Sequence, residues 1–191
     1  MKNVVIVGVG ALGSHVTLLL RNAAKLKIID FDRVEQKNVL SQFHGKPSVG
    51  ALKVRSMQQS MNMLFGLKID GVSNKLTSDN AKELLGGADL VIDCLDNGDG
   101  RRVCQNFVRA ASIPCVHGAL AAAGEGFGRV VWDERFVIDD ETGVGAATCE
   151  DGEHLPFIAI VAAYLARSAQ VFLMSGGRLG FNVHSGGAIR L

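Results

Sequence analysis

Residues 3–9 form an unbroken run of mostly β-branched apolar side chains, the pattern of a strand covered on both faces. The run ends in Gly8-Val9-Gly10-Ala11-Leu12-Gly13, after which Leu12, Val16, Leu19 and Leu20 recur at helical spacing. A second strand is predicted over 25–29, ending at Asp30, then a helix over 49–63 and a third strand over 67–72. Ser78 is placed to cap a helix running through Leu85. A fourth apolar strand is expected over 89–94, a helix over 101–112, and short strands over 114–117 and 127–132. A polar, acidic stretch at 139–153 reads as a mobile loop, 157–173 as the longest helix, and 180–184 as a closing strand. Strands alternating with helices predict an α/β fold with a doubly wound, Rossmann-like, mostly parallel sheet. With no repeat, low-complexity tract or linker, the expectation is a single domain over 1–191.

Composition narrows the function classes. The chain has 20 basic and 19 acidic residues, a net charge of +1 that lacks the basic excess of nucleic-acid or membrane-surface binders, so neither partner is expected. Cys94, Cys104, Cys115 and Cys149 contain no C-x-x-C pair, so no zinc knuckle is expected, and a disulfide scaffold does not suit a chain of this size. Met1-Lys2 leads directly into Val4-Val5-Ile6-Val7, too short a run for a signal peptide, and no stretch is read as reaching membrane-spanning length. A cytoplasmic location is the expectation.

The glycine turn carries the first chemistry. Gly8 permits a tight turn, Gly10 lets the backbone approach a phosphate, and Gly13 allows close helix–strand packing. The following helix offers N–H donors and a partial positive charge. Asp30, about twenty residues on at the end of the second strand, suits a ribose. This much fits ATP and a nicotinamide dinucleotide equally, so an NAD-dependent oxidoreductase stays open as an alternative.

Further motifs separate the two. Asp30 is followed by Phe31-Asp32-Arg33-Val34 and Asn38-Val39-Leu40-Ser41-Gln42, then Gly50-Ala51-Leu52-Lys53 and Asp93-Cys94-Leu95-Asp96-Asn97, with Arg101, Arg102 and Asn106 beyond. His117-Gly118 and the segment into Trp132 continue the likeness. Together these resemble the ThiF/MoeB/HesA family, bacterial relatives of ubiquitin-activating enzymes, over roughly residues 1–132. The resemblance implies use of ATP and Mg2+ to adenylate the C-terminal Gly-Gly carboxylate of a ubiquitin-like or sulfur-carrier protein, releasing pyrophosphate. It also implies roles by position. Gly8, Gly10 and Gly13 would cradle phosphate, Asp30 would hold the ribose, and Asn38 and Gln42 would contact the phosphate region. Lys53 would neutralise phosphate charge with Asp32 beside it, Asp96 would assist Mg2+, and Asn97 and Arg101 would complete the nucleotide-binding set.

The chain departs from the family pattern at Ser41, where the motif carries an arginine that could fork onto a phosphate. A degenerate, non-catalytic subunit of a heteromeric activating enzyme is therefore the second reading. Arg101 fits the family spacing from Asp96, whereas Arg102 fits the spacing to Asn106. In relatives a loop cysteine receives the activated carrier, and Cys149 is the candidate here, although Glu150, Asp151 and Glu153 disfavour its thiolate. Cys94, Cys104 and Cys115 read as core. None of the five histidines is given a metal or catalytic role. The apolar stripe from Ile158 to Phe172 reads as core or subunit interface, consistent with a homodimer or, under the second reading, a heterodimer. Ser185-Gly186-Gly187 reads as part of a flexible tail.

Overall fold

The computed structural model describes residues 1–121, 126–138 and 152–191. The first strand, β1 (Asn3–Val7), is apolar at successive positions because both its faces are covered. Val4 and Ile6 point into one core and Val5 and Val7 into the other. The same alternation holds in β2 (Lys25–Ile29) and β4 (Leu90–Asp93): Ile28 and Ile92 face the first core, Ile29 and Val91 the second. Fully burying each such side chain contributes about 1.5–3 kcal/mol, which fixes strand register against a one-residue slip.

The remaining strands are β3 (Asp70–Val72), β5 (Cys115–Leu120), β6 (Phe127–Trp132), β7 (Phe181–His184) and β8 (Gly187–Arg190). They form one sheet in the order β3-β2-β1-β4-β5-β6-β7-β8, parallel from β3 to β5 and antiparallel from β5 to β8. Helices α1 (Ala11–Leu20), α2 (Lys53–Phe65) and α5 (Leu155–Ser175) contribute to the first core. Helices α3 (Ala81–Leu85) and α4 (Gly98–Ala110) contribute to the second. The chain winds outward from β1 through β2 to β3, then returns to the other side of β1 at β4. This reversal creates a crevice at the carboxyl ends of β1 and β4, where ligands bind in open α/β sheets.

Several elements differ from their expected bounds. Helix α2 begins at Lys53, because Leu52 pairs across to Arg33 and Val49 is exposed. Asn80, not Ser78, precedes α3, with its side chain accepting from the Thr77 N–H at 2.8 Å. Helix α4 begins earlier, at Gly98, because Asn97 caps it by accepting from the Gly100 N–H at 2.8 Å. Residues 185–191 are not a tail: Ser185-Gly186 is a two-residue turn that pairs β8 onto β7 through His184↔Gly187. The reading that no stretch reaches membrane-spanning length is also corrected. The helical stretch Gly152–Ser175, with a mean hydropathy of 1.7, is long and apolar enough by length and composition. Its Ile158, Val161, Ala162, Leu165 and Ala169 are buried in the first core, as in the core helix of a globular protein.

Candidate functional site

The glycine turn leaves β1 at the crevice. Gly8 has a φ of 86°, and a Cβ there would lie 2.9 Å from the Cys94 carbonyl oxygen, so the turn packs directly on the strand-end segment of β4. A Cβ on Gly13 would sit 1.8 Å from the Gly8 oxygen. Gly10 differs: the nearest atom to a Cβ there is Gln42 Nε2 at 3.9 Å. The chain thus crowds the first and third glycines and leaves the second open.

Val9, between them, is held at both ends of its backbone. Its N–H donates to Asp30 Oδ2 at 2.7 Å, and its carbonyl accepts from His44 Nε2 at 2.9 Å. His44 Nδ1 lies 3.0 Å from Ser56 Oγ on α2. Burial pulls the His44 pKa down, so the ring is neutral, donating from Nε2 and accepting the Ser56 hydroxyl at Nδ1. Asp30 Oδ1 accepts the Asp32 N–H at 2.8 Å. Burial raises the Asp30 pKa, opposed by Lys53 and by the two backbone donors. Each Asp30 oxygen has one backbone donor and keeps a lone pair able to accept a further hydrogen bond.

The segment after β2 is pinned over this turn. The Phe43 N–H donates to Ser14 Oγ at 2.9 Å, and His15 Nε2 donates to the Ser41 carbonyl at 3.1 Å. Ser41 is fully buried. Asn38 serves its own short helix, Gln36–Leu40, by accepting the Glu35 N–H at 2.8 Å. Gln42 is 9% exposed, and its Oε1 is buried without a hydrogen-bond partner among the described residues. Lys53 is 8% exposed and lies 3.3 Å from Asp32 Oδ2.

The D-C-L-D-N segment divides between inside and outside. Asp93 is fully buried: Oδ1 accepts the Leu95 N–H at 2.9 Å, and Oδ2 accepts from Arg101 Nη1 at 3.0 Å and His117 Nδ1 at 2.7 Å. Burial would raise its pKa, but Arg101 and His117 outweigh that and hold the carboxyl below the ordinary range. Arg101 Nη2 also donates to the Leu95 and Gly118 carbonyls. Expected among the nucleotide ligands, Arg101 instead turns inward and locks the segment to β5. Arg102, the other arginine that fits the family spacing, is half-exposed and lies 3.5 Å from Asp99. Asn97, also expected on the nucleotide, gives its oxygen to the cap of α4. Asp96 is exposed at the crevice end of β4. Among the described residues no group of three or more His, Cys, Asp or Glu side chains could hold a metal unaided. A single carboxylate together with nucleotide phosphates suits Mg2+, and Asp96 fits that role.

Burial raises the thiol pKa of Cys94 and Cys115, with Asp93 adding to both, so neither suits a nucleophile. Cys149 lies outside the described residues. Two groups that sequence reasoning left without a role prove central: His117, bonded to Asp93 and Asp133, and His44 beneath the glycine turn. Their partners lie 12 to 35 residues away, and no local pattern announces them.

A family model described as the ThiF family matches residues 1–178. The molybdopterin-synthase adenylyltransferase of Salmonella typhimurium is 32% identical over 120 residues, 61% of this chain and 48% of that protein. The SAMP-activating enzyme E1 of Haloferax volcanii is 31% identical over 123 residues, 62% of this chain and 46% of that protein. The chain thus spans about half the length of these curated relatives. The crystal structure of E. coli MccB with ATP superposes with a TM-score of 0.77 at 14% identity, covering 100% of this chain and 62% of that one, a likeness of fold.

Proposed function

Since the chain belongs to the ThiF family, we propose that it catalyses ATP-dependent adenylation of the C-terminal Gly-Gly carboxylate of a ubiquitin-like or sulfur-carrier protein. The carboxylate oxygen attacks the α-phosphorus, a C–O–P anhydride forms, the α–β phosphoanhydride bond breaks and pyrophosphate leaves. The observation that carries this reading is three features the fold leaves open: a Gly10 with room over it and Gln42 as its neighbour, a Gln42 Oε1 without a hydrogen-bond partner among the described residues, and the nearly buried Lys53.

Each residue then has a physical task. The open Gly10 turn and the N-terminus of α1 would receive phosphate oxygens. Lys53, oriented by Asp32, would disperse phosphate charge, and Gln42 would meet a donor or a bound water at its free oxygen. Asp30 would hold the ribose while fixing the Val9 peptide. Asp96 would hold Mg2+, which when bound neutralises the charge developing on the leaving phosphates. The relatives named as adenylyltransferases support the reading, and nothing found supports an oxidoreductase.

Magnesium-dependent ATP–pyrophosphate exchange, with and without a carrier ending in Gly-Gly, is the test. Carrier-dependent exchange is the expected result. Silence across several carriers, with ATP binding shown separately, would overturn catalysis by this chain alone and favour a binding-only subunit. Ser41 at the arginine position of the motif would then be the first cause to examine.

A further inference from the structure

His117 is 1% exposed on β5, and both its ring nitrogens face carboxylates: Nδ1 lies 2.7 Å from Asp93 Oδ2 and Nε2 3.1 Å from Asp133 Oδ1. Both carboxyls are kept ionised by other cations, Asp93 by Arg101 and Asp133 by Arg109, whose Nε donates at 2.7 Å. Ionised carboxylates only accept, so both ring nitrogens carry a proton and the ring is an imidazolium. Phe136 stacks on it at 4.0 Å and 9°. The charged groups acting on the ring are Asp93 from β4, Arg101 from α4 and Asp133 after β6, with Arg109 from α4 paired to Asp133. Burial alone would push the His117 pKa down, but the bonds to Asp133 and Asp93 outweigh it and hold it above its ordinary value.

The Asp93 carboxylate that His117 grips also fixes the residue before Asp96. Leu95 gives its N–H to Asp93 and its carbonyl to Arg101, so its peptide is held at both ends. We propose that His117 is a positioning residue for Asp96: by joining Asp93 to Asp133 it fixes the carboxylate that clamps Leu95, and with it the turn that presents Asp96 to a metal–nucleotide. This rests on the adenylation reading for the role of Asp96 alone. The sixteen-residue separation of His117 and Asp133 is closed by the antiparallel pairing of β5 and β6, so the outer half of the sheet braces the metal-facing turn. Removing the imidazole would leave Asp93 with Arg101 as its one cation and cut the tie to Asp133.

The experiment has two readouts that do not depend on turnover. Ring-nitrogen chemical shifts by NMR are expected to show His117 doubly protonated at about pH 8, where free histidine is neutral; a neutral ring there overturns the proposal. Paramagnetic broadening of the Leu95, Asp96 and Asn97 amides is then followed as Mn2+ is added with ATP. In His117→Gln the Mn2+ midpoint is expected to rise by about tenfold, the scale seen when a residue supporting a metal ligand is removed, with metal-free ATP affinity unchanged. Equal midpoints in both proteins refute the role of His117 alone. No broadening in the wild type refutes the metal site on which the proposal rests. Should His117→Gln not fold, Asp133→Asn cuts one arm of the bridge, leaves the Leu95 clamp, and is expected to lower the pH at which the ring loses its proton. An unchanged pH refutes the bridge.

Discussion

Gly10 and Gly13 stand three residues apart in the same turn, and the structure predicts opposite consequences for adding one methyl group to each. At Gly13 the new Cβ would lie 1.8 Å from the Gly8 carbonyl oxygen, 2.9 Å from its carbon and 3.3 Å from Cys94 Cβ. The first two neighbours are backbone and cannot swing aside, so the end of β1 and the start of α1 must separate by about 1 Å. That places Gly13→Ala at the upper end of the usual cost of overpacking, about 3 kcal/mol. For a chain of this length the cost corresponds to a fall in Tm of roughly 6–12 °C. At Gly10 a Cβ would meet Gln42 Nε2 alone, at 3.9 Å. The stability cost of Gly10→Ala is then that of alanine at a helix N-cap, about 1 kcal/mol or less. Its methyl group would occupy the space proposed for phosphate, so ATP affinity should fall about tenfold or more, or at least about 1.4 kcal/mol. Thermal melts and equilibrium ATP titrations of both variants separate the effects. Wild-type melting of Gly13→Ala would refute the packing argument, and wild-type ATP affinity in Gly10→Ala would refute the phosphate cradle.

Three further outcomes follow from the charged groups. Lys53→Ala should lower pyrophosphate exchange by about a hundredfold or more while costing under about 1 kcal/mol of stability, since its partner Asp32 is half-exposed; full exchange in that variant sinks the assigned site. Arg101→Ala should destabilise by about 3–5 kcal/mol in urea melts because it strips a buried carboxylate of a cation and frees the Leu95 and Gly118 carbonyls; a small effect would contradict its inward placement. Asp133, which burial would push up, is instead held down to about 2 by His117, Arg109 and Gln105, against an ordinary 3.8. A depressed carboxyl stabilises the fold above its unfolded value and loses that contribution as pH falls through the folded one. The stability gap between wild type and Asp133→Asn, read from urea melts, should therefore be about 2 kcal/mol above pH 3.8 and close as pH falls to about 2. A gap independent of pH would refute the ionised bridge.

What the sequence revealed follows the range of the interactions. Strands β1 and β2 were legible because two-sided burial writes continuous apolar runs, and the glycine turn because its three positions are local. Strand β8 was not: Gly187-Ala188-Ile189-Arg190 offers little alternation, and its strand character comes from pairing with β7. The start of α2 was misplaced because Val49 looks like a helical core position but is 42% exposed. Asp30, Lys53 and Asp96 were singled out through a motif, which fixes residue type and spacing but not which way a side chain points. Arg101 shows the gap, since the spacing that aligned it with a nucleotide ligand also serves a buried clamp. The His117–Asp133 and His44–Val9 bonds exist only once the sheet is assembled.

Motif residues therefore carry unequal weight as arguments for function. Arg101, Asn38 and Asn97 have structural work that would preserve them in a domain with no ligand: an ion pair, a short-helix bond and a cap. Gln42, Lys53 and Asp96 do not. Leaving the Gln42 oxygen buried and unpaired costs about 1–3 kcal/mol unless something binds there. Lys53 is nearly buried for one bond of 3.3 Å to a half-exposed carboxylate, a poor return for the desolvation of an ammonium. Asp96 is exposed, its side chain bonded among the described residues only to the neighbouring Asn97 at 3.3 Å. A phosphate-bearing ligand with its metal would answer Lys53 and Asp96, and a donor or bound water beside it the Gln42 oxygen, which is why the case for nucleotide chemistry rests on these three side chains and the open Gly10, and not on the motif as a whole.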